Sequence, residues 1–233
     1  MSIWIILKLL GSLALLMFGM KAMSEALQKM AGPQLRHVLG AMTTNRFTGM
    51  LTGTLVTASV QSSTATTVMT VSFVNAGLLT LAQAISVIMG ANIGTTLTAW
   101  IMAVGTAGNE TSPFDISIVS YVGFFIGIVL IYMKKHRYLG DFLFGIGLLL
   151  LGLTTLKATG MSMDLANNEA VTSFLKSFDP DSFWTTLIFL VLGGVMTFCV
   201  QSSAAVMAIT MLLCSTGAMP IYQGIALVLG ENI

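Results

Sequence analysis

Charge is what this sequence has least of. Only 8% of its 233 residues are Asp, Glu, Lys or Arg, against 55% hydrophobic, whereas a water-soluble surface normally carries about 25% charge. A soluble globular protein is excluded, and the chain reads as an integral membrane protein. A basic surplus is missing too: with a formal net charge of +1, no basic face exists to neutralise phosphates, and no nucleic-acid partner is expected. Cysteine is scarce. Cys199 and Cys214, the two present, both fall in apolar segments, which argues against a disulfide framework or a zinc site and leaves two small apolar fillers. No nucleophile–base pair or metal cluster occupies a cavity position, so neither an enzyme nor a cofactor is expected. A cleavage site is lacking after the first apolar run, Leu9 to Gly19, so that run is a retained span rather than a signal peptide.

What is present is a repeat. Gln61-Ser62-Ser63-Thr64 sits in the middle of an apolar run and returns 140 positions later as Gln201-Ser202-Ser203-Ala204. The spacing also holds for Gly53 and Gly193, Thr57 and Thr197, Gly77 and Gly217, and Gln83 and Gln223. It holds again for Gly90-Ala91-Asn92-Ile93 and Gly230-Glu231-Asn232-Ile233. A weaker echo pairs residues 16–20 with 149–153. Two copies of one unit in so apolar a chain point to a transporter before a solenoid.

Charge placement gives a topology. Lys21, Lys29, Arg36 and Arg46 fall in one connection and Lys134, Lys135 and Arg137 in another, which places both in the cytoplasm. The connections at about 105–116 and 158–182 are poorer in base and read as outside. Two apolar stretches, 47–77 and 79–104, then lie between an inside and an outside connection, so one of them enters and leaves on the same face. Gln61-Ser62-Ser63 divides 47–77 into arms of about 14 residues, or about 21 Å, too short for a hydrocarbon core of about 30 Å. The prediction is an all-α multi-pass membrane protein of two inverted repeats, each with a re-entrant helical hairpin. Residues 1–104 form the first repeat, with hairpin 47–77 and span 79–104. Residues 105–138 form a connecting span at about 117–133. Residues 139–233 form the second repeat, with hairpin 183–217 and an incomplete last span. Leu35, Val38, Leu39 and Met42 predict an interfacial amphipathic helix after Gly32-Pro33, with Arg36 and a solvated His37 on another face.

A hairpin tip brings the N-terminus of its second arm, with free N–H groups and a positive dipole end, into the membrane. Two such tips facing each other make an anion site without Lys or Arg. Ser62, Ser63, Thr64, Ser202 and Ser203 supply hydroxyls, and Gln61 and Gln201 supply amides. Carbonyls freed at the breaks can take sodium. Asn92 and Asn232 belong to the same cavity as a matched pair, with Thr95 and Thr96 close behind Asn92. Taken alone, a Gln-Ser-Ser cluster would more often bond a neighbouring helix; its duplication shifts the balance toward a site. Glu231, a carboxylate deep in an apolar segment, is either a cation ligand or a partner for another polar group. The spacings Gly49–Gly53 and Gly123–Gly127 allow close helix approach, the second being where a homodimer would pack, although the pattern is common in membrane chains. Asn109-Glu110-Thr111 fits a weak glycosylation sequon on an outside loop.

Gln-Ser-Ser at 61–63 and 201–203, each followed by Gly-x-Asn-Ile, with Gly90-Ala-Asn-Ile-Gly-Thr-Thr96 in the first half, resembles the sodium-dependent phosphate cotransporter family, the type II sodium/phosphate symporters and their bacterial relatives. The resemblance implies alternating-access transport of inorganic phosphate coupled to sodium across the cell membrane. It carries the substrate and ion site onto Gln61, Ser62, Ser63, Thr64, Gln201, Ser202 and Ser203, lined by the Asn92 and Asn232 segments. Ala204 stands where the first copy has Thr64, so the halves need not contribute equally. Relatives continue through Gly-Thr-Thr after the second motif, so the expectation is a fragment or truncated copy. The alternative function is a truncated, non-transporting membrane subunit of the same fold.

Overall fold

The computed structural model describes residues 3–31, 45–107, 116–164, 169–179 and 182–233. Its regular elements are all helices: α1 (Ile3–Ala31), α2 (Arg46–Val60), α3 (Ser63–Asn75), α4 (Leu81–Ala107), α5 (Ile116–Tyr132), α6 (Arg137–Ser162), α7 (Glu169–Lys176), α8 (Phe183–Val200), α9 (Ser203–Ser215) and α10 (Ile221–Gly230). Among the described residues, α1, α4, α6 and α8 are long and apolar enough to cross a membrane. The chain is an all-α membrane protein.

Both Gln-Ser-Ser segments break helices at the expected residues. Gln61 and Gln201 take left-handed backbone angles, φ 54° and φ 56°, which end α2 and α8. Ser62 and Ser202 are extended and cap the next helix, each side chain accepting from an amide three residues on, Ala65 and Ala205. A serine in this role satisfies a donor that the first helical turn leaves free. After α3 and α9 the chain turns at Gly77 and Gly217, φ 70° and 72°, where the missing Cβ removes the cost of positive φ. With 15 residues in α2 and 13 in α3, the arms of the first break measure about 22 Å and 20 Å, short of the hydrocarbon core. The second break is less symmetric, because α8 has 18 residues, about 27 Å, and the length argument is correspondingly weaker there.

Contacts divide the chain into two compact units, residues 1–17 with 151–233, and residues 18–150. In the 18–150 unit, α2 and α4 cross in backbone contact: a Cβ on Gly53 would overlap the Val87 carbonyl, and one on Gly90 the Met50 carbonyl. Val56, Val60 and Val87 form a buried cluster beside this crossing, with Ala65, Met69 and Phe73 packed on it. In the same unit Gly19 of α1 lies against Leu149 of α6, and Gly145 against Met23.

The other unit reproduces the crossing with α8 and α10. Gly193 meets the Leu227 carbonyl and Gly230 the Leu190 carbonyl. These are the repeat counterparts of Gly53 and Gly90, so the duplication seen in sequence is also a duplication of local geometry. Phe189, Val206, Met219, Ala226 and Leu227 form its core. Phe178 joins it through an edge-on contact with Phe189, ring centres 5.5 Å apart.

Two boundaries differ from expectation. The connection expected from Lys21 begins as helix, since α1 runs unbroken to Ala31. Met23 and Ala26 are buried, while Glu25 lies between Lys21 and Lys29, 4.0 and 3.8 Å away on the exposed face, so the basic residues continue the helix instead of ending it. The outside connection 158–182 also shortens, because α6 continues to Ser162 and α7 forms within it. The interfacial helix built on Leu35, Arg36, His37, Val38, Leu39 and Met42, and the Asn109-Glu110-Thr111 sequon, lie outside the described residues.

Candidate functional site

The first tip is held from three sides within its unit. Thr57 donates to the Thr66 hydroxyl at 2.9 Å, closing α2 onto α3. From α1, the Ser24 hydroxyl donates to the Val60 carbonyl at 2.7 Å, taking up an acceptor that the end of α2 leaves free. From α4, the Thr98 hydroxyl donates to Gln61 Oε1 at 2.8 Å. Gln61 Nε2 in turn donates to the Ala58 carbonyl at 2.6 Å. Both ends of this amide are therefore engaged, which fixes its orientation at the break.

Ser62 Oγ accepts from the Ala65 amide at 3.1 Å, and the Ser62 carbonyl accepts from the Thr66 amide at 3.2 Å. The amides of Ser63 and Thr64 remain as the free donors of the first turn of α3, with the helix dipole behind them. Ser63 is half-buried and Thr64 exposed. This tip offers hydrogen-bond donors and a partial positive charge without a basic side chain, a combination suited to an oxyanion.

On α4 the predicted residues divide between two faces. Thr95 is buried and donates to the Ala91 carbonyl at 3.1 Å. Asn92 and Thr96, one turn apart, are exposed, with Thr96 donating to the Ile93 carbonyl at 2.7 Å. Only Thr98, three residues after Thr95 on the buried face, reaches the tip through its side chain. Sequence reasoning missed Thr98, Thr57, Thr66 and Ser24. The spacing of Ala91, Thr95 and Thr98 at i, i+4 and i+7 was the available signal, since it lays a strip of small side chains, two of them hydroxyl-bearing, along one face of α4.

The second tip repeats the backbone and changes the side-chain support. Gln201 Nε2 donates to the Phe198 carbonyl at 2.6 Å, and Ser202 Oγ accepts from Ala205 at 3.2 Å, leaving Ser203 and Ala204 to supply the free amides. Val206 replaces Thr66, so Thr197, the counterpart of Thr57, has a buried hydroxyl with no partner. Asn232 is exposed and donates to the Val228 carbonyl at 3.0 Å. Glu231 is buried, and Thr210 Oγ1 lies 3.3 Å from its Oε1. Among the described residues, no group of three His, Cys, Asp or Glu side chains is placed to hold a metal ion. The donors at both tips are hydroxyls, amides and carbonyls, which suit a hard alkali cation.

Residues 15–158 match the family described as Na+/Pi-cotransporter. The Escherichia coli (strain K12) protein YjbB, whose name assigns it provisionally to inorganic phosphate export, is 31% identical over 231 residues, 98% of this chain and 40% of its own length. Its Salmonella typhimurium counterpart is 30% identical over the same extent. The sodium-dependent phosphate transport protein 2A of Rattus norvegicus is 39% identical over 105 residues, 44% of this chain and 16% of its own length. This chain thus spans about two-fifths of the length of the bacterial relatives it matches. No solved structure matches it.

Proposed function

The chain belongs to the Na+/Pi-cotransporter family, and on that premise we propose that it moves inorganic phosphate across the membrane together with sodium by alternating access. Phosphate and sodium are bound at the Gln-Ser-Ser tips. Gln61, Ser62, Ser63 and Thr64 supply the ligands at the first tip and Gln201, Ser202 and Ser203 those at the second, with Asn92, Thr95 and Thr96 accompanying the first and Asn232 the second.

One observation carries the reading: each tip pairs a left-handed glutamine with a serine cap and two free helix-opening amides. Broken helices at membrane depth are tolerated where they line a cavity, and their N-terminal dipole ends favour an anion. The names of the relatives, which concern phosphate export and sodium-dependent phosphate transport, support the same substrate and ion.

Reconstitution of the purified protein into vesicles tests it. Radiolabelled phosphate is expected to cross in response to a sodium gradient, with flux collapsing in Gln61→Ala and in Ser202→Ala. Flux indifferent to sodium removes the coupling, and phosphate binding without flux assigns the chain instead as a non-transporting module of this fold.

A further inference from the structure

Among the buried positions at which the segment 81–93 and its counterpart 221–233 differ, one exchanges an apolar side chain for an acid: Ala91 in the first copy, Glu231 in the second. Both are buried, at 0% and 4% exposure. We propose that Glu231 and Thr210 form a binding site for a small monovalent cation, sodium, that the second copy has and the first lacks.

With Glu231 ionised, the hydrogen-bond inventory around it does not close by itself. Thr210 Oγ1 lies 2.9 Å from the Val206 carbonyl and 3.3 Å from Glu231 Oε1, yet a hydroxyl has a single proton to donate. The shorter bond to Val206 takes it, so an oxygen lone pair of Thr210 faces a carboxylate oxygen. Glu231 Oε2 is buried with no partner at all. Among the described residues, no ion pair to Glu231 is seen. A desolvated carboxylate without a countercharge is strongly unfavourable, and in a membrane segment such a group is ordinarily paired or functional.

A small cation supplies what the arrangement lacks. It provides the opposite charge, accepts both carboxylate oxygens as ligands, and turns the lone pair on Thr210 from a repulsive neighbour into a third ligand. All three are hard oxygen donors, the class that alkali and alkaline-earth ions prefer. Net charge favours a monovalent ion, since Glu231 brings a single negative charge.

The first copy shows the same framework with its polar groups satisfied. Thr70, the counterpart of Thr210, donates to the Thr66 carbonyl at 2.7 Å, and Ala91 stands at the position of the acid. Among the described residues, the buried side-chain polar atoms left without a partner are Thr197 Oγ1, both amide atoms of Gln223 and Glu231 Oε2. All belong to α8, α10 and the residue closing α10, that is, to the second copy. An unsatisfied polar interior confined to one of two matched units marks a place adapted to a ligand.

This site rests on the proposed transport only for the choice of sodium as the ion, and its test measures binding alone. Equilibrium binding of radiolabelled sodium to the purified full chain in lipid nanodiscs, without phosphate, is expected to lose one equivalent per chain in Glu231→Ala and in Glu231→Gln. Glu231→Ala installs the residue that the first copy already accommodates there. If it fails to fold, Thr210→Val, which removes one ligand and keeps the shape, is expected to weaken the same equivalent. Unchanged sodium binding in folded Glu231→Ala, or in folded Thr210→Val, overturns the site. Glu231-dependent sodium binding in a protein that moves no phosphate leaves this site standing and removes the transport reading. Sodium-driven flux with sodium binding insensitive to Glu231 does the reverse.

Discussion

The Thr98 hydroxyl donates to Gln61 Oε1 across 2.8 Å, so the middle of α4 holds the side chain at which α2 and α3 part. Thr98→Val removes that donor at nearly constant shape. The expected stability loss is about 1 kcal/mol, as for other hydrogen bonds between helices in membranes, together with weaker phosphate binding by titration calorimetry. Thr98→Ser restores both. Wild-type phosphate affinity in Thr98→Val would show that orienting Gln61 is unimportant to binding.

The serine caps allow stability to be separated from recognition. Ser62→Ala removes both the cap and the hydroxyl and is expected to cost about 1 kcal/mol, whereas Ser62→Gly costs only a few tenths of that because glycine is tolerated at the cap position. If the hydroxyl also serves phosphate, the two variants lose phosphate affinity alike while their melting temperatures differ. Retained affinity in Ser62→Gly would confine Ser62 to capping.

A partner can be given to Thr197. Val206→Thr recreates in the second unit the pair that Thr57 and Thr66 make in the first, and it is expected to raise stability by about 0.5–1 kcal/mol. Thr66→Val, which makes the first unit like the second, is expected to lower it by a similar amount. Thermal unfolding in one detergent measures both, and shifts of the same sign in the two variants would refute the pairing.

Left-handed angles at Gln61 and Gln201 cost roughly 1 kcal/mol or more for a residue with a side chain, and nothing for glycine. Gln201→Gly is therefore expected to stabilise the fold while abolishing transport. Gln61→Gly is expected to gain less, because it also forfeits the bond from Thr98. Full flux in Gln201→Gly would show that the amide at the second tip does no chemistry.

Methyl groups at the helix crossings provide a check on packing. Gly53→Ala and Gly193→Ala each place a Cβ on a backbone carbonyl of the facing helix, and a loss of about 1–3 kcal/mol is expected for each. Gly11→Ala, where the added methyl meets nothing within 4 Å, is the control.

The breaks at 61 and 201 were legible because a polar cluster inside an apolar run has few places to go, and its duplication excluded chance. The duplicated glycines were legible for the same reason, although sequence alone does not say that Gly53 and Gly90 meet carbonyls of the same crossing. The supports of the first tip were not legible. Thr57, Thr66 and Thr98 look like ordinary small residues of membrane helices, and their roles depend on how α2, α3 and α4 are rotated about their axes, which only the packed structure settles. The end of α1 is not legible either, because Lys21 and Lys29 in the sequence look like the start of a connection. Alternation with Glu25 on one face and burial of Met23 and Ala26 on the other let the helix continue past them.

Where Gly53 and Gly90 bring α2 and α4 together, main chain lies on main chain, and the Thr54 hydroxyl donates to the Gly90 carbonyl at 3.1 Å. Sliding one helix along the other would drive carbonyls into Cα atoms, so the two travel as a single rigid strut. Under the proposed alternating access, any rocking of the first tip is expected to be accommodated at the edges of this pair, which carries the Gln61 bend with it.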